Sequence, residues 1–252
     1  HAAMEANPAY RALWWRELDA EWKDIIVHNF QLGNLTIEQA LDDLARQPYL
    51  ACYNGMLVTN KMDAVYFERA SVYAVGTPLR TLAGLHYCTA LEELDARFNR
   101  LENLVGLEQA RALKALHVNQ NRLLTLAGLE GATALQELYA GHNRLTHLSE
   151  LEQCPELRHL EVDHNDIHDL RALRRCPRLE VLYCTHNRLT SLDGLEHCAR
   201  LMRLYCDNNP LVNIDVILQL PQLRVLSVRG CNLPVDMLEK CRAAHPQCLI
   251  YS

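Results

Sequence analysis

The chain has 252 residues, 49% hydrophobic and 22% charged, which is enough to fold and bury a substantial core in one large domain or two small ones. A formal net charge of −6 disfavours nucleic acid as a partner, because neutralising phosphates takes clustered Lys and Arg. No apolar run approaches the roughly 20 residues that span a bilayer, so no membrane partner is expected.

Taken from the N-terminus, His1-Ala2-Ala3 reads as an appended scar, with the natural chain beginning at Met4. Within residues 8–30, Leu13, Trp14, Leu18, Trp22, Ile25 and Ile26 fall on one helical face. A second helix is predicted from Thr36, where Gln39 three residues on makes a capping box and Ile37, Ala40, Leu41 and Leu44 follow at helical spacing. Residues 1–46 are therefore read as a helical N-terminal cap, with burial of its aromatic residues favoured over a partner-binding patch of Trp14, Trp15 and Trp22. Residues 47–68 form a transition segment; Ala64–Phe67 and Val72–Val75 are the candidate strands that would begin a sheet.

Residues 69–233 are organised by a 22-residue period. Six uninterrupted copies start at Leu91, Leu113, Leu135, Leu157, Leu179 and Leu201. A degenerate copy lies upstream at 69–90 and a truncated one begins at Leu223. The alternation of positions four and six (Leu116 and Val118, Leu182 and Cys184) is the period of two expected of a strand with one buried face. Leu189, Leu192 and Leu195 fill the same core from the other side. Position nine holds Asn99, Asn121, Asn143, Asn165, Asn187 and Asn209, with Cys231 in the last copy. A buried Asn is costly unless bonded, so these six are predicted to bond the backbone of their own and the neighbouring turn. Residues 234–252 are read as a C-terminal cap, a short helix over Leu233–Ala244 followed by an extended tail from Cys248 to Tyr251.

Each copy carries L-x-x-L-x-φ-x-x-N-x-L, where φ is apolar, and this resembles the leucine-rich repeat family over about 165 residues. The repeat length and the L-x-G-L-E segment resemble the short class of bacterial internalins and of the regulatory subunit of protein phosphatase one. The resemblance implies an α/β fold: a curved solenoid with a parallel, concave β-sheet, a short 3-10 or irregular convex side, and a helical N-terminal cap. Eight strands would make a sheet about 34 Å long at about 4.8 Å per step.

Ten cysteines without a charged-then-apolar leader predict free thiols in a reducing cytosol. Cys154, Cys176 and Cys198 share one repeat position, and Cys184 and Cys206 another. Both positions point inward, so these thiols are read as small hydrophobic fillers rather than metal ligands or disulfides.

The outward strand positions are read as free of scaffold constraint and hence as the place for function. They are rich in Tyr and His and mixed in charge. The candidate partner-binding residues are Tyr139, His142, Glu161, Asp163, His164, Tyr183, His186, Tyr205 and Asp207. His142, His164 and His186 occupy one position of three successive copies, so their rings should stack. Their mutual repulsion opposes the pull of Glu161 and Asp163, so the sign of any pKa shift is open. A pair of them offers imidazole to zinc, but no third ligand is evident. The expectation is a metal-free column that makes partner affinity pH-dependent between about pH 5.5 and 7.5.

The Gly-rich phosphate loop, the H-E-x-x-H pair and the G-x-S-x-G elbow are absent. The enzyme hypothesis would rest on His164 with Glu161 or Asp163, and lacks a nucleophile. The expected function is a non-enzymatic, cytoplasmic, monomeric scaffold that needs no cofactor and holds another protein on its concave face. The alternatives are a regulatory subunit of an enzyme such as a phosphatase, or a bacterial effector acting on host proteins. Of 25 basic residues 21 are Arg, a usage that hints at a GC-rich, and with the internalin resemblance a bacterial, source.

Overall fold

A computed structural model describes residues 8–18, 20, 23, 37–46, 49–53, 56–58, 79–86 and 88–252. Helices α1 (Pro8–Glu17) and α2 (Ile37–Arg46) precede the strands β1 (Tyr49–Tyr53) and β2 (Met56–Val58). Seven three-residue strands follow, one per copy: β3 (Glu93–Asp95), β4 (Ala115–His117), β5 (Glu137–Tyr139), β6 (His159–Glu161), β7 (Val181–Tyr183), β8 (Arg203–Tyr205) and β9 (Val225–Ser227). Helix α3 (Val235–Ala244) and strand β10 (Leu249–Tyr251) end the chain. The strands form one ten-stranded sheet in the order β10-β9-β8-β7-β6-β5-β4-β3-β1-β2. All neighbours pair in parallel except β1 and β2, which are antiparallel.

The register equals the repeat. Leu94, Leu116, Leu138, Leu160, Leu182, Leu204 and Leu226 lie side by side across the sheet, and each is fully buried. Position six continues the same inward face with Ala96, Val118, Ala140, Val162, Cys184, Cys206 and Val228. Burying one such Leu contributes about 1.5–3 kcal/mol, and the stacking repeats every rung. Leu18, Ala40, Leu41 and Leu44 belong to the same core, and Trp15 packs against it half-buried. The Trp14 side chain and Trp22 lie outside the described residues.

The Asn ladder forms as expected. Asn121 accepts the Leu101 N–H at 3.0 Å and donates to the Ala96 and Val118 carbonyls at 2.9 and 3.0 Å. Asn165, Asn187 and Asn209 repeat this bridge between consecutive turns. In the last copy the Cys231 thiol donates to the Cys206 carbonyl at 3.2 Å.

From residue 91 onward the opposite side of the solenoid follows position sixteen; in the degenerate upstream copy Gly84 lies instead in a short 3-10 helix, Ala83–Leu85. Copies with glycine there (Gly106, Gly128, Gly194) turn with φ near +110°, and the glycine N–H is bonded by the carboxylate two residues on, at 2.9 Å in each case. A Cβ on Gly128 would strike the Leu104 carbonyl, so the L-x-G-L-E segment is a turn that excludes side chains. Copies with Glu150, Ala172 or Val216 instead form 3-10 helices over Ser149–Gln153, Arg171–Arg175 and Asp215–Gln219.

The cysteine columns are core fillers. Cys88, Cys154, Cys176, Cys184, Cys198, Cys206, Cys231 and Cys241 are free and buried, and Cys248 is free and half-buried. Burial pushes the Cys154, Cys176 and Cys198 thiols up to about 12, so they are protonated at neutral pH.

Three expectations change. Among the described residues the sheet has ten strands rather than eight. The neighbour of β3 is β1, with Leu50 opposite Leu94, so the place assigned to a strand of the degenerate 69–90 copy is filled by Tyr49–Tyr53. That copy contributes its later half in register: Leu79 accepts from Arg100 and donates to Asn99, and Leu82, Leu85 and Cys88 are buried. The proposed strands at 64–67 and 72–75 lie outside the described residues. The tail does more than close the core, since β10 adds a parallel strand with Ile250 opposite Leu226. Among the described residues no helix is long and apolar enough to cross a membrane.

Candidate functional site

The outward face of the sheet carries two parallel rows of side chains. The first comes from positions three and five, which share a face because strand side chains alternate. His117 stacks on Tyr139 with ring centroids 4.5 Å apart and planes within 4°. Tyr139 meets His159 at 4.9 Å, His159 meets Tyr183 at 5.7 Å, and Tyr183 stacks on Tyr205 at 4.5 Å and 3°. Five rings from five adjacent strands thus form one continuous aromatic stripe. Offset stacks of this kind contribute about 0.5–1.5 kcal/mol each, so the rings are held in place before any partner arrives.

Carboxylates flank the stripe. Tyr139 donates its hydroxyl to Glu137 at 2.9 Å, and Asn119 donates to Glu161 at 3.0 Å. His117 Nε2 lies 4.0 Å from Glu93. Burial, reinforced by Asp163, raises the Glu161 pKa despite the Asn119 hydrogen bond. Burial lowers the pKa of His117 against the pull of Asp95, Glu93 and Glu137, and burial likewise lowers that of His159. Two covered atoms, Asn119 Oδ1 and His159 Nε2, lack a hydrogen-bond partner among the described residues.

The second row is the histidine column at position eight. His142, His164 and His186 stack in sequence with centroids 4.2 Å apart at both steps. His186 Nε2 pairs with Asn208 Nδ2 at 3.1 Å, and His142 Nε2 lies 3.6 Å from Asp163 Oδ2. Desolvation, then the two neighbouring imidazoles, outweigh Asp163 and lower the His164 pKa.

Position eight is not free of the scaffold, contrary to the sequence reading. Phe98, Gln120, His142, His164, His186 and Asn208 all have φ between 51° and 59°, and Gly230 has 69°. The chain leaves each strand through this left-handed residue and so turns the following Asn into the core. His, Asn and Gly tolerate that conformation better than most residues, which accounts for part of the column's composition.

Eight of the nine predicted residues lie on or beside these rows: Tyr139, Tyr183 and Tyr205 with Glu161 on the first, His142, Asp163, His164 and His186 on the second. Asp207 lies apart, accepting the Ser227 hydroxyl at 2.6 Å and the Arg229 N–H at 2.7 Å. Position five closes off at both ends, where Asp95 and Ser227 are buried. His117 and His159 were left out of the predicted set, although their place at strand positions on the same face as the tyrosines was legible. Asp163 adds a third potential donor atom beside His142 and His164, all within 4.8 Å of one another.

A family model described as leucine-rich repeats (2 copies) matches residues 155–197 and 177–217. A comparison with curated proteins finds no match. Among solved structures, an internalin from Listeria monocytogenes aligns with TM-score 0.64 and 22% identity over 70% of this chain and 52% of its own. A leucine-rich repeat protein of Leptospira interrogans aligns with TM-score 0.54 and 24% identity over 68% and 51%. A second Listeria monocytogenes internalin, internalin C2, gives TM-score 0.54 and 17% identity over 89% and 95%. The chain therefore spans about half the length of the first two. Repeat register, Asn ladder and sheet topology agree with these likenesses: residues 155–217 match the leucine-rich repeat model, and the fold is a leucine-rich repeat solenoid that resembles that of the internalins.

Proposed function

We propose that this chain is a non-enzymatic scaffold that binds another protein on the open face of its sheet, centred on the stripe from His117 to Tyr205. The carrying observation is the stripe itself: five rings in continuous contact, two pairs of them stacked, on a parallel sheet present a large contact area at little entropic cost. Unpartnered Asn119 Oδ1 and His159 Nε2 support the reading, because such atoms cost about 1–3 kcal/mol each and concentrate where a surface serves binding rather than stability. The stripe is bordered by Glu93, Asp95, Glu137, Glu161 and Asp163, with Arg97 and Arg203 the basic residues beside it; carboxylates outnumber cations, so the partner segment is basic, its Arg or Lys side chains lying over the tyrosine faces. His142, His164 and His186 form the rim, and Asp207, held by Ser227 and Arg229, lies beyond it. The free thiols support a cytosolic setting, and the chain is read as a monomer.

The test is affinity capture from the source cell, followed by titration of the purified partner. The Tyr183→Ala/Tyr205→Ala double variant should bind at least tenfold more weakly while staying folded, its melt lowered only by the lost ring contacts, and wild-type affinity should fall with salt. Undiminished binding in the double variant would move the site off this face.

A further inference from the structure

We propose that His142, Asp163 and His164 form a surface site for a divalent transition ion, with zinc as the working case. Their donor atoms all lie within 4.8 Å of one another, two imidazole nitrogens and one carboxylate oxygen from adjacent rungs. Zinc holds nitrogen and oxygen at about 2.0–2.2 Å, which places tetrahedral ligand atoms about 3.3–3.5 Å apart. Asp163 Oδ2 and His142 Nε2, at 3.6 Å, are already near that spacing. Both histidines are exposed, so rotation of their rings can bring the third donor in.

The backbone sets this up. His142 and His164 share the left-handed conformation, with φ of 54° and 51°, so their side chains leave the sheet edge in parallel, one rung apart. Asp163 reaches the neighbouring rung because that rung has no side chain at position seven: a Cβ on Gly141 would sit 2.6 Å from Asp163 Oδ1. Elsewhere position seven holds Arg97, Asn119, Thr185, Asp207 or Arg229. The glycine thus lies on the rung next to the carboxylate and beside the first histidine. His186 stacks behind His164 but is engaged by Asn208, which leaves it outside the ligand set.

Two imidazoles and one carboxylate favour borderline ions over calcium or magnesium, which prefer all-oxygen shells. The fourth position stays open to water. The site is independent of protein binding, because the probe is the ion alone.

The experiment is zinc titration of the chelator-treated full chain, by calorimetry and by competition with a chromophoric chelator, with circular dichroism confirming that each variant is folded. Wild type should bind one equivalent, and millimolar magnesium should not compete. His164→Gln and Asp163→Asn should each weaken binding at least tenfold. Gly141→Ala keeps every donor but displaces the Asp163 carboxylate, and should also weaken binding several-fold. His186→Gln should bind as wild type. Absence of stoichiometric binding, or equal affinity in wild type and His164→Gln, would overturn the proposal. So would a loss in His186→Gln matching that in His164→Gln, which would indicate a bare imidazole stack.

Discussion

Leu182 and Tyr183 are adjacent in sequence and opposite in environment, so replacing each by alanine tests the inward and outward faces directly. Leu182 is fully buried and lies in register between Leu160 and Leu204, themselves fully buried. Truncation removes three carbons, a transfer loss of about 2.5 kcal/mol at about 0.8 per methylene. A cavity cost adds to this, because parallel pairing on both sides and the Asn187 bridge prevent collapse of the rung. The expected loss for Leu182→Ala is about 3–4 kcal/mol, within the range for buried Leu→Ala changes. Tyr183 is half-buried, stacked on Tyr205 and tilted against His159. Its removal should cost under about 1.5 kcal/mol. Urea denaturation followed by circular dichroism measures both, provided the m-value is constant across variants, since repeat arrays can lose rungs separately. Equal losses would mean that the faces are wrongly assigned.

Four further outcomes are expected. Asn165→Ala should cost about 1–3 kcal/mol in the same assay, because it strands the Leu145 N–H in the core and takes one of two donors from each of the Ala140 and Val162 carbonyls, which keep Asn143 and Asn187; a loss under about 0.5 would remove the ladder from the account of stability. Gly128→Ala places a Cβ against the Leu104 carbonyl at a φ of +113° and should destabilise by more than about 2 kcal/mol, whereas Glu130→Gln, which only weakens the bond to the Gly128 N–H, should lose less than half as much. Folding lowers the His117 pKa, so below about pH 6.5 the unfolded chain takes up the proton more readily; stability should fall from pH 7.5 to 5.5, and His117→Gln should flatten part of that slope in denaturant midpoints, whereas an identical slope would refute the assignment. Thiol titration of the unreduced, denatured protein should count ten, and eight or fewer would contradict the free-thiol reading.

What the sequence by itself determined is what repeats. A fixed period brings like positions together on successive rungs, so the Leu core, the Asn ladder, the thiol columns and the histidine stack were all legible from spacing alone. The tail was legible too, because the core exposed at the end of a solenoid must be covered. Contacts outside the period were decided only by the tertiary structure. Nothing local marks Tyr49–Tyr53 as the strand beside Glu93–Asp95, because that pairing joins segments with no shared pattern. The left-handed backbone at position eight was hidden because the residues there, from Phe98 to Asn208, look like free surface choices until their φ angles show the turn that buries the next Asn. Asp163 joined the histidines for a sideways reason: its carboxylate leans across one rung into the space left by Gly141, and a missing side chain on a neighbouring strand has meaning only once the strands are side by side.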